Sequence, residues 1–165
     1  MSKLNYFAYG SNMSSKRLKA RVPSANSIGK GVLREHRLVF HKISKKDGSG
    51  KCDVIKSESD DVIGVLFEID RAEKSTLDKA EGLNYGYDEK AVNVKLESGA
   101  TVSAVTYFAT NIDASLKPYT WYVRHVLEGA REAQLPGDYI RSIMETPATE
   151  DTDKKRDADE LAIYS

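Results

Sequence analysis

The chain has 165 residues, 40% of them hydrophobic and 30% charged, and its 25 Lys and Arg balance its 25 Asp and Glu. A length of this order reads as one globular domain, and a formal charge of zero removes the usual electrostatic case for nucleic acid or an anionic membrane as principal partner. The single cysteine, Cys52, excludes an intrachain disulfide and points to a reducing compartment.

Leu4, Tyr6 and Ala8 alternate with Asn5, Phe7 and Tyr9, which predicts a first strand, buried on both faces because both carry aromatics. Nothing ahead of it reads as a signal peptide, and no apolar run approaches the ~18 residues of a membrane span, so a cytoplasmic location is expected. Ser14 is placed to cap a short helix that Pro23 limits. Residues 32–43 read as a second strand, 45–51 (KKDGSGK) as a turn, and 62–69 (VIGVLFEI) as the most apolar strand. Asp70 and Glu73 have the spacing of a capping box for a helix running to Glu81, with Gly82 as its terminator.

Residues 89–96 and 101–109 form a hairpin pattern around Glu97–Ala100. Trp121, Val123, Val126, Leu127 and Ala130 recur at helical spacing within 119–134, and Leu135-Pro136-Gly137 ends that run before a short helix over 139–145. Residues 150–160 (EDTDKKRDADE) contain only acids, bases, Thr and Ala, the composition of a solvated tail or a fraying helix. A domain over 1–147 and a charged tail over 148–165 are therefore expected. About five strands, mostly antiparallel, and four helices predict an α+β fold: a small, mixed, largely antiparallel β-barrel with flanking helices.

Three features carry possible chemistry. The first strand ends in Tyr9-Gly10-Ser11-Asn12 and passes at once into a helix. Such a turn points several backbone N–H groups into one small space, a nest suited to an anion or a developing oxyanion, or else it is an ordinary strand–helix turn. Glu81 falls at the C-terminal end of its helix, where the helix dipole disfavours a carboxylate. A group placed there against stability is expected to be more basic than usual and suits a general base, unless it is a surface Glu near Lys79. The nine tyrosines, among them Tyr85, Tyr87, Tyr107, Tyr119 and Tyr122, offer polar handles for a pocket or are core residues with hydroxyls reaching outward. His36, His41 and His125 lack metal-ligand spacing, so no metal is expected. A Cys52 nucleophile paired with His36 or His41 has no third residue to orient it. Phosphate-binding and nucleophile-elbow motifs are missing, so nucleotide cofactors are not expected.

These residues together resemble the gamma-glutamylcyclotransferase (AIG2-like) family. The resemblance rests on Tyr9-Gly10-Ser11-Asn12, on Leu77-Asp78-Lys79-Ala80-Glu81-Gly82, on Ser103-Ala104-Val105-Thr106-Tyr107, and on Tyr122 followed by Gly129-Ala130-Arg131-Glu132 and Leu135-Pro136. It covers roughly residues 3–145 and implies a small mixed β-barrel, conversion of γ-glutamyl amino acids to 5-oxoproline with release of the free amino acid, and no metal or organic cofactor. It assigns Glu81 as acid/base, Tyr9, Gly10, Ser11 and Asn12 as the substrate-binding loop, Met13 as its adjoining apolar position, and Tyr107 and Tyr122 as pocket tyrosines. The implied partner is a small γ-glutamyl substrate. The chain departs from its relatives at Lys51-Cys52-Asp53, and its basic 44–51 turn suits an acidic leaving portion. Two alternatives stay open: a cyclotransferase for γ-glutamylamine isopeptides, and a non-catalytic domain that binds small carboxylates.

Overall fold

The computed structural model describes residues 2–165. Five strands, β1 (Lys3–Ala8), β2 (Asn26–Ile43), β3 (Gly50–Asp70), β4 (Tyr87–Leu96) and β5 (Thr101–Ala109), close into a barrel in the order β1-β3-β2-β4-β5. Neighbours are antiparallel except β1 and β5, which close the barrel in parallel with Tyr6 opposite Val105. Helices α1 (Ser15–Arg21), α2 (Lys74–Glu81), α3 (Thr120–Glu132), α4 (Gly137–Met144) and α5 (Lys154–Leu161) flank it. The α+β barrel expected from the sequence is the fold observed. On β1, Tyr6, Phe7 and Ala8 are all buried, so successive side chains on opposite faces both find core.

The β2–β3 hairpin is longer at both ends than hydrophobic alternation indicates. Gly29 and Gly31 look like loop residues, but Gly31 pairs with Gly64 on one side and Leu96 on the other. The charged stretch before Val62 is not a loop either: Arg34 stands opposite Asp61 and His36 opposite Lys56. Both faces of this ribbon meet solvent there, so the period-2 signal fades while backbone pairing continues. The consequence for function is that Lys51–Val54 become strand, and the register sets Lys51 opposite Lys42.

The predicted capping box at Asp70 does not form. Asp70 pairs with Lys3, and the Glu73 carboxylate accepts the Ser24 N–H at 2.9 Å. Residues Arg71–Glu73 make a 3-10 turn, and α2 starts at Lys74. Tertiary partners have taken the two side chains that local spacing reserved for the helix. The other end follows the sequence. Gly82 has φ +80, and the N–H groups of Gly82 and Leu83 both return to the Asp78 carbonyl at 2.9 Å. This left-handed termination fixes Glu81 as the last helical residue.

The charged C-terminal segment is largely exposed but is an ordered helix docked on the rest of the domain through a few contacts. Thr149 bridges to Tyr119, and the fully buried Asp151 accepts the Trp121 indole N–H at 2.9 Å and a two-pronged contact from Arg156. Glu160 on α5 binds Arg17 at 2.7 Å and His125 at 2.9 Å, and the Tyr164 hydroxyl donates to Ser14, 150 residues away in sequence. The contact with His125, reinforced by Arg17, holds the Glu160 carboxyl down at about 2. A run of acids and bases shows no periodicity because its partners are single charges on distant elements.

Candidate active site

The chain leaves β1 at Ala8 and makes one 3-10 turn, Ser11–Met13, before Ser14 caps α1 by accepting the Arg17 N–H. The N–H of Met13 turns back to the Gly10 carbonyl (3.1 Å) and that of Ser14 to the Ser11 carbonyl (3.3 Å). The N–H groups of Gly10, Ser11 and Asn12 have no acceptor among the described residues. The turn is held tightly from both sides. A Cβ at Gly10 would lie 2.9 Å from the Cβ of Cys52 on β3, and one at Gly129 on α3 would lie 2.4 Å from the backbone of Met13 and Ser14. The Met13 side chain is buried and is not among the residues lining the cavity beside the turn; it anchors the loop in the core.

Glu81 faces this turn across the cavity. Its Oε1 accepts from Asn12 Nδ2 and, at 3.3 Å, from the Tyr6 hydroxyl, while Oε2 has no partner among the described residues. Asn12 Nδ2 also reaches the Tyr6 oxygen at 3.2 Å, and Asn12 Oδ1 accepts from Arg21 at 3.4 Å. The loop and the carboxylate are thus parts of one hydrogen-bonded unit, with one carboxylate oxygen held by two donors and the other without a partner among the described residues.

The walls are aromatic. The Tyr9 hydroxyl donates to the Tyr107 carbonyl at 2.7 Å, and the Tyr107 hydroxyl donates to Asp78 at 2.6 Å. Tyr87 donates to the Cys52 carbonyl at 2.5 Å, and the Tyr122 oxygen accepts the Cys52 N–H at 3.1 Å. Burial lifts the phenols of Tyr6, Tyr9, Tyr87, Tyr107 and Tyr122 well above their ordinary range, so they remain protonated donors at neutral pH. Burial also pushes the Cys52 thiol up to about 12, and His41 is bound to Asp53 at 2.6 Å. The Cys–His nucleophile considered from the sequence lacks its thiolate, and no hydrogen bond joins the Cys52 thiol to His36 or His41 among the described residues. No cluster of three metal-ligating side chains is found among the described residues.

The cavity has two compartments. The inner one, about 20 Å³, is lined by Tyr6, the Tyr9–Asn12 turn, Glu81 and the wall tyrosines; it has room for about one water-sized group, such as a carbonyl oxygen. The outer one, about 360 Å³, shares Ser11, Glu81, Tyr87 and Tyr122 with it and opens beneath the basic turn after β2. That volume suits a small ligand of dipeptide size. Of its nineteen lining residues eight are Lys or Arg and three carry carboxylates, so the mouth is strongly cationic.

The AIG2-like family model matches residues 61–143, a span that includes Glu81, Tyr107 and Tyr122. A gamma-glutamylcyclotransferase from Bos taurus is 32% identical over 143 residues, covering 84% of this chain and 76% of its own. The chain belongs to the AIG2-like gamma-glutamylcyclotransferase family. The Homo sapiens gamma-glutamylcyclotransferase is likewise 32% identical over 139 residues, covering 81% of this chain and 73% of its own. A solved structure of a gamma-glutamyl cyclotransferase superposes with a TM-score of 0.90 at 26% identity, covering 98% of this chain and 99% of that one. As a member of the gamma-glutamylcyclotransferase family the chain is an enzyme, not a non-catalytic binding domain. No helix among the described residues is long and apolar enough to cross a membrane.

Sequence reasoning missed Tyr6, Arg21 and Lys42 as cavity residues. Tyr6 reads as an ordinary core aromatic, and its contact with Glu81 spans 75 residues. Lys42 carried a usable signal, a lysine within an otherwise apolar strand end, but only the register shows that it faces inward opposite Lys51. Of the tyrosines singled out from the sequence, Tyr119 does not line the cavity, and Tyr85 stands at its mouth, 70% exposed.

Proposed function

We propose that the chain cyclises γ-glutamyl amino acids to 5-oxoproline and releases the free amino acid, with Glu81 as general acid/base and the Tyr9–Asn12 turn as the oxyanion hole. The observation that carries this reading is the pairing of a pinned carboxylate with free backbone donors. Glu81 lines the same inner compartment as Gly10, Ser11 and Asn12, and neither its Oε2 nor the N–H groups of those three residues have a hydrogen-bond partner among the described residues. In the proposed step Glu81 takes a proton from the substrate's α-ammonium. The freed nitrogen attacks the γ-carbonyl carbon of the same molecule, and the carbonyl oxygen gathers charge against the backbone donors. The bond to the leaving nitrogen then breaks as the Glu81 carboxyl returns its proton there. The second ammonium proton goes to solvent, and the released amine takes one back, so no water is consumed. Because nucleophile and electrophile belong to one molecule, the cavity's main work is to hold the folded conformer. A backbone donor of this kind is typically worth about 3–4 kcal/mol.

The cationic mouth supports ordinary amino acids, whose free charge on the leaving side is a carboxylate alone, over an isopeptide-linked lysine, whose free α-ammonium offsets its carboxylate. The test is 5-oxoproline release from γ-glutamyl-alanine, γ-glutamyl-lysine isopeptide and glutathione. Preference for γ-glutamyl-alanine over the isopeptide is expected; the reverse order would replace the amino-acid reading with the isopeptide one.

Asn12 has a positioning role in this scheme, since its amide orients Glu81. Asn12→Ala removes a hydrogen bond to a charged group, typically about 1.5–3 kcal/mol, and is expected to lower kcat about 10- to 100-fold. A kcat within about two-fold of wild type would show that Glu81 needs no such support.

A further inference from the structure

We propose that Lys42 and the basic turn that follows β2 form an anion subsite for the leaving portion of the substrate, so that peptides releasing an acidic amino acid are preferred. This inference rests on the cyclotransferase reading for the identity of the glutamyl half and adds the class of the other half.

Lys42 is only 7% exposed, yet it has no hydrogen bond or ion pair among the described residues. Its ammonium lies 4.6 Å from the centroid of the Tyr87 ring and lines the outer compartment. Its stem is packed into the wall, and its ammonium, which is not fully enclosed, meets the cavity without a partner. Burial holds that ammonium below the usual lysine range. The register sets it opposite Lys51, whose own charge is taken up by Asp47; the positive charges that work against Lys42 are those of Lys45 and Lys46. The Tyr87 ring face stabilises the charge in part, but it supplies no anion, and a cation left without one at a cavity wall marks a place where an anion can bind.

Glu81 and Asp47 lie near enough to favour the charge on Lys42, but no carboxylate of the cavity pairs with it directly. Asp47 is committed to Lys51 at 3.1 Å and to the Ser49 N–H and hydroxyl. Glu160 is committed to Arg17 and His125. Glu81 is not within ion-pair distance of Lys42 among the described residues. Lys45 and Lys46, one turn on, also line the compartment and extend the same positive surface toward solvent. Arg21 stands on the opposite, loop side of the cavity beside Asn12, placed for the carboxylate that every γ-glutamyl group carries. Lys42, on the β2–β3 wall, is then left for carboxylates on the amine that departs.

The test measures kcat/KM for γ-glutamyl-glutamate, γ-glutamyl-alanine and γ-glutamyl-ethylamide, whose leaving amines carry two, one and no carboxylates. It is paired with calorimetric binding of the same three compounds to Glu81→Gln. The expected order is two, one, none, with the first preferred over the last by about 10- to 100-fold. In Lys42→Met the ratio of the first to the last is expected to fall toward one. Equal rates for the three compounds, or a Lys42→Met enzyme that keeps the wild-type ratio because all three fall alike, would overturn the subsite and reassign Lys42 to the glutamyl half. Absence of product with the same ranking in binding would sink the cyclisation reading and leave the anion subsite standing. Absence of both product and ranking would remove both.

Discussion

Glu81→Gln is expected to lower 5-oxoproline formation by about 10²- to 10⁴-fold, the usual contribution of a positioned general base, while leaving the fold as it is. The substitution is nearly isosteric. The amide oxygen of Gln can still accept from Asn12 and Tyr6, which hold Oε1 in the native enzyme, so the side chain stays in place. What is lost is the ability to take the ammonium proton and to return it to the leaving nitrogen. The left-handed termination at Gly82 depends on backbone groups alone and is unaffected. Removing a carboxylate from the negative end of a helix dipole is in itself favourable, by about 0.3–1 kcal/mol for exposed groups. Against that stands the loss of a negative charge that favours the Arg21 and Lys42 cations, so the melting temperature is expected to change little. Product release assayed beside thermal melting checks both halves. Retention of more than about a tenth of wild-type turnover would remove Glu81 from the acid/base role.

Gly129→Ala is expected to cost both stability and rate, although residue 129 does not line the cavity. The added Cβ would stand 2.4 Å from the Met13 carbonyl carbon, the Met13 Cβ and the Ser14 N–H nitrogen. These are mostly backbone atoms and cannot swing aside as a flexible side chain can. Either α3 must move outward or the 3-10 turn must shift into the cavity. Overpacking of this kind costs typically about 1–3 kcal/mol, set against the small gain of alanine over glycine within a helix. The kinetic effect is expected to be of similar size, because a displacement of about 1 Å in a catalytic turn can cost about 100-fold in rate, or about 2.7 kcal/mol. Circular dichroism melting and kcat, read together, separate the two. An unchanged kcat with a lowered melting temperature would mean that helix α3 moves instead of the turn, and that the turn's position is not set by Gly129.

The parts of this enzyme that could be read from the sequence are those whose reasons are local. The alternation through β1, the Ser14 cap, the glycine after Glu81 and the helical spacing around Trp121 each belong to one element, and the structure keeps them. The parts that could not be read depend on distant partners. Asp70 and Glu73 have capping-box spacing, but Lys3 and the Ser24 N–H claim them. The charged segment after Thr149 docks through Asp151, Glu160 and Tyr164 onto Trp121, Arg17, His125 and Ser14, a set of pairings with no periodic trace.

The candidate site divides in the same way. The loop and Glu81 stood out because each is odd in its own neighbourhood. Tyr6 and Lys42 did not, because their meaning lies in what faces them: the carboxylate across the cavity for one, a second lysine across the strand pair for the other. Met13 was carried into the site by its adjacency to the loop, and its side chain belongs to the core.

The central claim is that the γ-glutamyl group closes on itself without water. The most direct test is to run the reaction on γ-glutamyl-alanine in heavy-oxygen water and weigh the products. Cyclisation predicts unlabelled 5-oxoproline and free alanine in equal amounts, neither appearing with Glu81→Gln. Glutamate carrying one heavy oxygen in its side-chain carboxylate would contradict the account, because it would make the Glu81 site a hydrolase that activates water.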